Sequence, residues 1–174
     1  DEPALIHAAN DADTLLQGVG EAGLAAVVTT HRHGDHWQAL AAVVDATGAR
    51  TIAGAEDAEA IGVPIDAVVT DGDEIPVGRS RLKVVHLVGH TPGSIALLFD
   101  DPEGMPHLFT GDSLFPGGVG KTWSHDDFVS LVDDVEHKVF GRLPDETWFY
   151  PGHGDDSTLG DQRPHLADWR ARGW

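Results

Sequence analysis

The sequence predicts an α/β sandwich, two mixed β-sheets packed face to face with helices on their outer surfaces. Three observations predict it. Short apolar runs of strand length recur between Gly, Pro and Asp clusters, and stretches with helical spacing bracket two groups of those runs. A hydrophobic fraction of 41% in 174 residues is that of an ordinary globular protein, so residues 1-174 are expected to form a single domain that needs no covalent staple.

The elements follow in order. Ala4-Leu5-Ile6 reads as a short strand, and Asp13 to Ala22 as a helix with Leu15, Leu16 and Val19 on one face, an Asp11 or Asp13 N-cap and a stop at Gly23. Leu24 to Thr29 is a continuous apolar run, the pattern of a strand buried on both faces. After a His-rich loop, Trp37 to Thr47 reads as a helix ended by Gly48, and Thr51-Ile52-Ala53 as a strand leading into a short helix closed by Gly62. From Ala67 the texture turns to β, with runs at Ala67–Val69, Glu74–Val77, Leu82–Val88, Ile95–Phe99 and Leu108–Thr110, which suggests a second sheet. Phe128 to Phe140 returns to helical spacing, Thr147–Tyr150 is a last strand, and a helix carrying Leu166 and Trp169 closes the chain.

Composition excludes several function classes. There is no cysteine, so thiol nucleophiles, Cys-ligated zinc, iron–sulfur clusters and disulfide frameworks are ruled out. With 11 Lys+Arg against 29 Asp+Glu the formal charge is -18, which argues against nucleic acid and anionic membranes as partners. No apolar stretch approaches membrane-span length and Asp1-Glu2-Pro3 lacks a signal-peptide pattern, so a cytoplasmic location is expected. The 11 histidines stand out against so few other basic residues.

Their positions carry the chemistry. The loop Thr30-His31-Arg32-His33-Gly34-Asp35-His36-Trp37 has the form HxHxDH. Ligands two apart on an extended segment point the same way, so His31 and His33 can reach one metal, while Asp35 and His36 are displaced toward a second position. Imidazoles and carboxylates without thiolate suit zinc or another divalent first-row ion. Three further Gly-flanked loops after apolar runs add His90 in Val88-Gly89-His90-Thr91-Pro92-Gly93-Ser94, Asp112 in Thr110-Gly111-Asp112-Ser113-Leu114-Phe115, and His153 in Tyr150-Pro151-Gly152-His153-Gly154-Asp155. Glycines there let several strand-end loops approach one centre.

The set HxHxDH, GHTPGS, TGDSLF and PGHGD, in that order, closely resembles the metallo-β-lactamase-fold hydrolases, and within them the glyoxalase II-like thioester hydrolases. The resemblance implies that His31, His33 and His90 hold one zinc ion, that Asp35, His36 and His153 hold a second, and that Asp112 bridges both, with iron or manganese as substitutes for zinc. Asp35 and Asp112 are the candidate catalytic carboxylates. The implied reaction is hydrolysis of a thioester or related activated ester of a small, anionic substrate by hydroxide held between the two ions, hydroxyacylglutathione hydrolase-like. Asp112 would then reduce the repulsion between two dications.

Lys121, nine residues beyond Asp112 in Gly118-Val119-Gly120-Lys121, falls where glyoxalase II-like enzymes contact glutathione. Two departures accompany the match. Only about 20 residues follow His153, so the C-terminal helical domain of glyoxalase II proper is not expected here, and the usual Asp after the first strand is His7, so support for the ligand loop is expected from Asn10 or Asp11. The family also begins with one or two further strands, so the first sheet is expected to lack its edge. Two rivals remain: a mononuclear iron persulfide dioxygenase using His31, His90 and Asp112, and a non-catalytic metal-binding or interaction protein. Trp37 reads as core packing, His86, His107, His125, His137 and His165 as surface or hydrogen-bonded residues, and Ser94 and Ser113 lack a triad partner. A small-molecule substrate, and a monomer or homodimer, complete the expectation.

Overall fold

The computed structural model describes residues 3–173. Asp1 and Glu2, which carry no leader pattern in the sequence, and Trp174 lie outside the described residues. Strands and helices are numbered in chain order. The first sheet holds β1 (Ala4–Ile6), β2 (Ala26–Thr29), β3 (Arg50–Gly54) and β4 (Ala67–Val69), paired in that order and parallel throughout. Helices α1 (Ala12–Val19) and α2 (Leu40–Thr47) make the crossovers between its first three strands. All four residues of β2 are buried, as its uninterrupted apolar run predicts.

β4 belongs to this sheet, although its sequence reads as the opening of the later β-rich group. A local clamp is the reason. The Thr51 backbone N–H and hydroxyl both donate to Asp66 Oδ2, at 2.9 and 3.0 Å, and the Asp66 N–H donates back to Thr51 Oγ1 at 2.8 Å. That exchange sets the register of β4 on β3 one residue before the strand begins.

The second sheet has the order β12 (Ser157–Thr158), β11 (Trp148–Pro151), β8 (His107–Gly111), β7 (Ile95–Phe99), β6 (Ser80–His86) and β5 (Glu74–Val77). It is mixed, because β11 runs parallel to β8 while its other pairs are antiparallel. The hairpin β9 (Leu114–Phe115) and β10 (Gly118–Val119) stands apart. Helices α3 (His125–Asp134), α4 (Leu159–Gln162) and α5 (Leu166–Arg172) follow.

Three apolar layers hold the sandwich together. Val28, Ile52, Val84, Ile95 and Leu97 fill the space between the sheets. Leu40, Val43 and Val27 seal α2 to the first sheet, and Leu131, Val135, Leu108, Phe149 and Trp169 seal α3 and α5 to the second. Burying such side chains contributes about 1.5–3 kcal/mol each before entropy is counted.

Two helices differ from the sequence pattern. The helix expected from Trp37 begins at Leu40, because Gly34–His36 winds as a 3₁₀ turn and the Trp37 indole N–H donates back to Arg32 O at 2.9 Å. The helix expected over Phe128–Phe140 starts at His125, capped by Ser124 accepting from Asp127 N, and its last six residues, Val135–Phe140, widen into a π-helical turn.

Candidate metal centre

Strand direction explains the convergence. β7 is antiparallel to both β6 and β8, so those two run the same way, and β11 is parallel to β8. The loops after β6, β8 and β11, which carry His90, Asp112 and His153, therefore leave the same end of the second sheet. The loop after β2, with His31, His33, Asp35 and His36, faces them from the first sheet.

All seven predicted side chains come together, in two groups whose ligand atoms lie within 4.8 Å of one another: His31, His33 and His90, and Asp35, His36 and His153. Asp112 lies between them. Its Oδ2 is 4.0 Å from His31 Nε2, 3.7 Å from His90 Nε2 and 3.7 Å from His153 Nε2, while Oδ1 is 3.5 Å from His36 Nε2. His153 Nε2 lies 3.1 Å from both Asp35 Oδ2 and His36 Nε2. The halves differ in exposure: His31, His36 and His90 are buried, whereas the Asp35 and His153 side chains are 55% and 54% exposed.

The donor set fits divalent cations. His31 Nε2, His90 Nε2 and Asp112 Oδ1 are buried without a hydrogen-bond partner; the two imidazole nitrogens lie 4.0 and 3.7 Å from Asp112 Oδ2, while Oδ1 lies 3.5 Å from His36 Nε2. Unpartnered buried polar atoms are costly, and cations on the two sides of Asp112 would satisfy all three. Burial, followed by the neighbouring His36, holds His31 far below the usual histidine range, and burial lowers His90 as well. Both are neutral at pH 7, the protonation state a ligand needs. Burial would raise the Asp112 carboxyl, but the His36, His31 and His90 imidazoles outweigh it and hold Asp112 low, hence ionised.

The nitrogen of each buried imidazole that faces away from the centre is held in place. His90 Nδ1–H donates to Lys121 O at 2.7 Å, His31 Nδ1 contacts Thr30 Oγ1 at 3.0 Å, and His36 Nδ1 contacts His7 Nδ1 at 3.2 Å. Support for the ligand loop therefore comes from His7 itself, rather than from Asn10 or Asp11. Asp11 is occupied capping α1 through Thr14. Burial, with His36 adding to it, pushes the His7 imidazole down to about 4.

Two functional side chains escape the sequence reading. Asp57 is fully buried and accepts from Arg32 N (3.0 Å), Thr91 Oγ1 (2.5 Å) and Gly93 N (3.0 Å), tying the loop of His31 and His33 to that of His90. In sequence it is one acid among 29, and only tertiary structure marks it out. Trp123, 60% exposed, stands edge-on to His33 with ring centroids 6.3 Å apart, and Lys121 Nζ lies 4.4 Å above its ring. Through the Trp123 ring the Lys121 side chain is linked to His33. Trp37 is core packing, as expected. A cleft of about 520 Å³ opens beside Asp35 and His153, between Asn10, Gln38 and Tyr150.

The family described as Metallo-beta-lactamase superfamily matches residues 6–153. The chain belongs to the metallo-β-lactamase superfamily. A hydroxyacylglutathione hydrolase of Cereibacter sphaeroides is 37% identical over 129 residues, covering 67% of this chain and 49% of its own length. The chain thus spans about half of that relative. The hydroxyacylglutathione hydrolase GloC of Haemophilus influenzae is 29% identical over 182 residues, covering 92% of this chain and 84% of its own. Among solved structures, TTHA1623 in a di-iron-bound form superposes with a TM-score of 0.73 at 30% identity, covering 91% of this chain and 85% of that one. The metallo-β-lactamase fold implies a divalent-metal site, and the two histidine clusters are where this chain offers one.

Proposed function

We propose that the chain is a metal-dependent hydrolase that cleaves a thioester or related activated ester of a small anionic molecule, with a glutathione thioester as the leading substrate class. The observation that carries this reading is the convergence of seven imidazole and carboxylate side chains from both sheets on one centre, three of their buried atoms lacking any other partner. Cysteine is absent and no serine at the site has a base of its own, which leaves a water as the natural nucleophile for a site built of metal-binding side chains. The hydroxyacylglutathione hydrolase relatives support the substrate class.

His31, His33 and His90 would hold one divalent ion, Asp35, His36 and His153 a second, with Asp112 shared; zinc suits this nitrogen and oxygen set. Such a pair supplies Lewis acidity toward the carbonyl oxygen and an activated water at neutral pH. The chain's own residues do the rest. Asp112, ionised and between the two groups, offsets the repulsion of two cations. Asp35, exposed and 3.1 Å from His153 Nε2, would take the proton that the attacking water gives up and pass it to the departing thiolate, so that the thiol leaves neutral. Lys121 and Trp123 form one rim of the site and provide a cation and an aromatic wall for an anionic thiol carrier.

Metal analysis of the purified protein, paired with a glutathione thioester assay, tests the proposal. Two ions per chain and thiol release are expected. One iron per chain with oxygen uptake on a persulfide would favour the second reading, a mononuclear iron persulfide dioxygenase. What favours that reading is the unequal burial, since the cluster around His31 and His90 is enclosed while Asp35 and His153 are open to solvent.

A further inference from the structure

We infer that His7 is a positioning residue that joins the two halves of the metal centre, touching His36 directly on one side and His31 through Thr30 on the other. The inference rests on the two-ion reading above and adds to it a coupling between the subsites.

His7 follows β1, whose residue Ile6 pairs with Val28, and its backbone N–H donates to Val28 O at 3.0 Å. That pairing sets its side chain against the start of the ligand loop. The backbone turns there into the left-handed region, φ 66°, which L side chains adopt rarely and which persists only where surroundings fix it. Both ring nitrogens are engaged, Nδ1 with His36 Nδ1 at 3.2 Å and Nε2 with Thr30 Oγ1 at 2.7 Å.

Proton placement then follows from ligation. His36 and His31 present Nε2 to the centre, so each carries its proton on Nδ1. His36 Nδ1–H donates to His7 Nδ1, which leaves the His7 proton on Nε2, where it donates to Thr30 Oγ1. His31 Nδ1–H donates to the same hydroxyl, at 3.0 Å. A single tautomer of His7 satisfies both neighbours. A carboxylate accepts in every direction, whereas this imidazole has one accepting and one donating edge, so it cannot turn to suit one ligand without losing the other. Filling one subsite therefore orients a ligand of the other, and the two ions bind cooperatively.

The three rings also place nitrogens within 4.8 Å of one another. A third ion at His7, His31 and His36 is the competing account. It is disfavoured because the hydrogen bonds just described already engage Nδ1 of His31 and His36.

The test is calorimetric titration of the metal-stripped protein with Zn²⁺, repeated with Co²⁺ so that the ligand-field absorption reports each site. Wild type is expected to take up two ions cooperatively. His7→Ala is expected to weaken both by about 10–100-fold and to abolish the cooperativity. Single-subsite backgrounds separate the arms. With His153→Ala disabling one subsite, His7→Ala should still weaken the remaining ion at least tenfold, and so should Thr30→Val, which keeps the side chain's shape. With His33→Ala disabling the other subsite, His7→Ala should act at full strength and Thr30→Val more weakly, because it reaches His36 only by loosening His7. Circular dichroism of the metal-free variants checks folding, and Thr30→Val serves if His7→Ala does not fold. A wild type with two ions whose affinities change less than threefold in these variants overturns the coupling alone. Three ions in wild type and two in His7→Ala overturn it in favour of the third site. Fewer than two ions in wild type overturn the two-ion reading as well.

Discussion

Asp57→Ala removes the acceptor that joins two ligand loops. Three donors lose their partner at once: the Arg32 and Gly93 backbone N–H groups and the Thr91 hydroxyl, the last two bonds being buried. A hydrogen bond to a charged group contributes about 1.5–3 kcal/mol, and a donor left buried and unpaired costs about 1–3 kcal/mol. Part of that loss is recovered, because Arg32 N is only partly buried and water can reach it, and because Thr91 Oγ1 keeps its contact with Ser94 Oγ at 2.6 Å. The net expectation is a loss of about 4 kcal/mol, which for a chain of this size lowers the thermal midpoint by roughly 8–16 °C. Asp57→Asn, which keeps one acceptor oxygen but presents an NH₂ to donors, should fall between wild type and Asp57→Ala. Urea unfolding of the metal-free protein measures the first effect, and zinc affinity measures the second, because His31, His33 and His90 are no longer held in register. A loss below about 1 kcal/mol with unchanged zinc affinity would refute the assignment of Asp57 as the tie between the loops.

Other expectations concern acid, packing and substrate. Burial depresses His7 from 6.5 to about 4, so below pH 6.5 the unfolded chain binds more protons than the folded one. Metal-free stability should be complete above pH 6.5 and fall toward pH 4, by about 3 kcal/mol from His7 alone; thermal midpoints that stay level across that range would contradict it. Gly120→Ala would bring a methyl within 1.7 Å of Asp112 O, and is expected to cost about 3 kcal/mol and release metal, as elemental analysis would show. Asp112→Asn should leave less than one ion bound per chain after dialysis, and full occupancy would remove Asp112 from its shared position. Lys121→Ala should raise KM for a glutathione thioester more than it lowers kcat, since a remote anion contact gives mainly uniform binding. An unchanged KM would detach Lys121 from the substrate.

The candidate ligand set was legible because its chemistry is local. Four donors crowd into six residues from His31 to His36, and His90, Asp112 and His153 each sit beside glycine after an apolar run. The two-layer fold was legible for the same reason, since strand length and helical spacing are short-range signals. What the sequence hid depends on contacts distant along the chain. β4 looks like a member of the β-rich group that follows it, and only the Thr51–Asp66 exchange assigns it to the other sheet. Asp57 bonds to Thr91 and Gly93 across more than thirty residues, so its neighbours in sequence say nothing of its role. His7 looked like a lost carboxylate. Its part emerged only when Thr30 and His36 appeared on its two edges.

The two candidate ligand groups each draw on both layers of the sandwich, with donors separated in the chain by as much as Asp35 is from His153. With metal bound, the centre would clasp the first and second halves of the polypeptide together. An ion present at a hundredfold its dissociation constant adds about 2.7 kcal/mol to the stability of everything it spans. Chelation should therefore loosen the whole molecule, and limited proteolysis with and without a chelator would show it as faster cutting in both halves. On this view metal supply sets the lifetime of the folded chain as well as its activity.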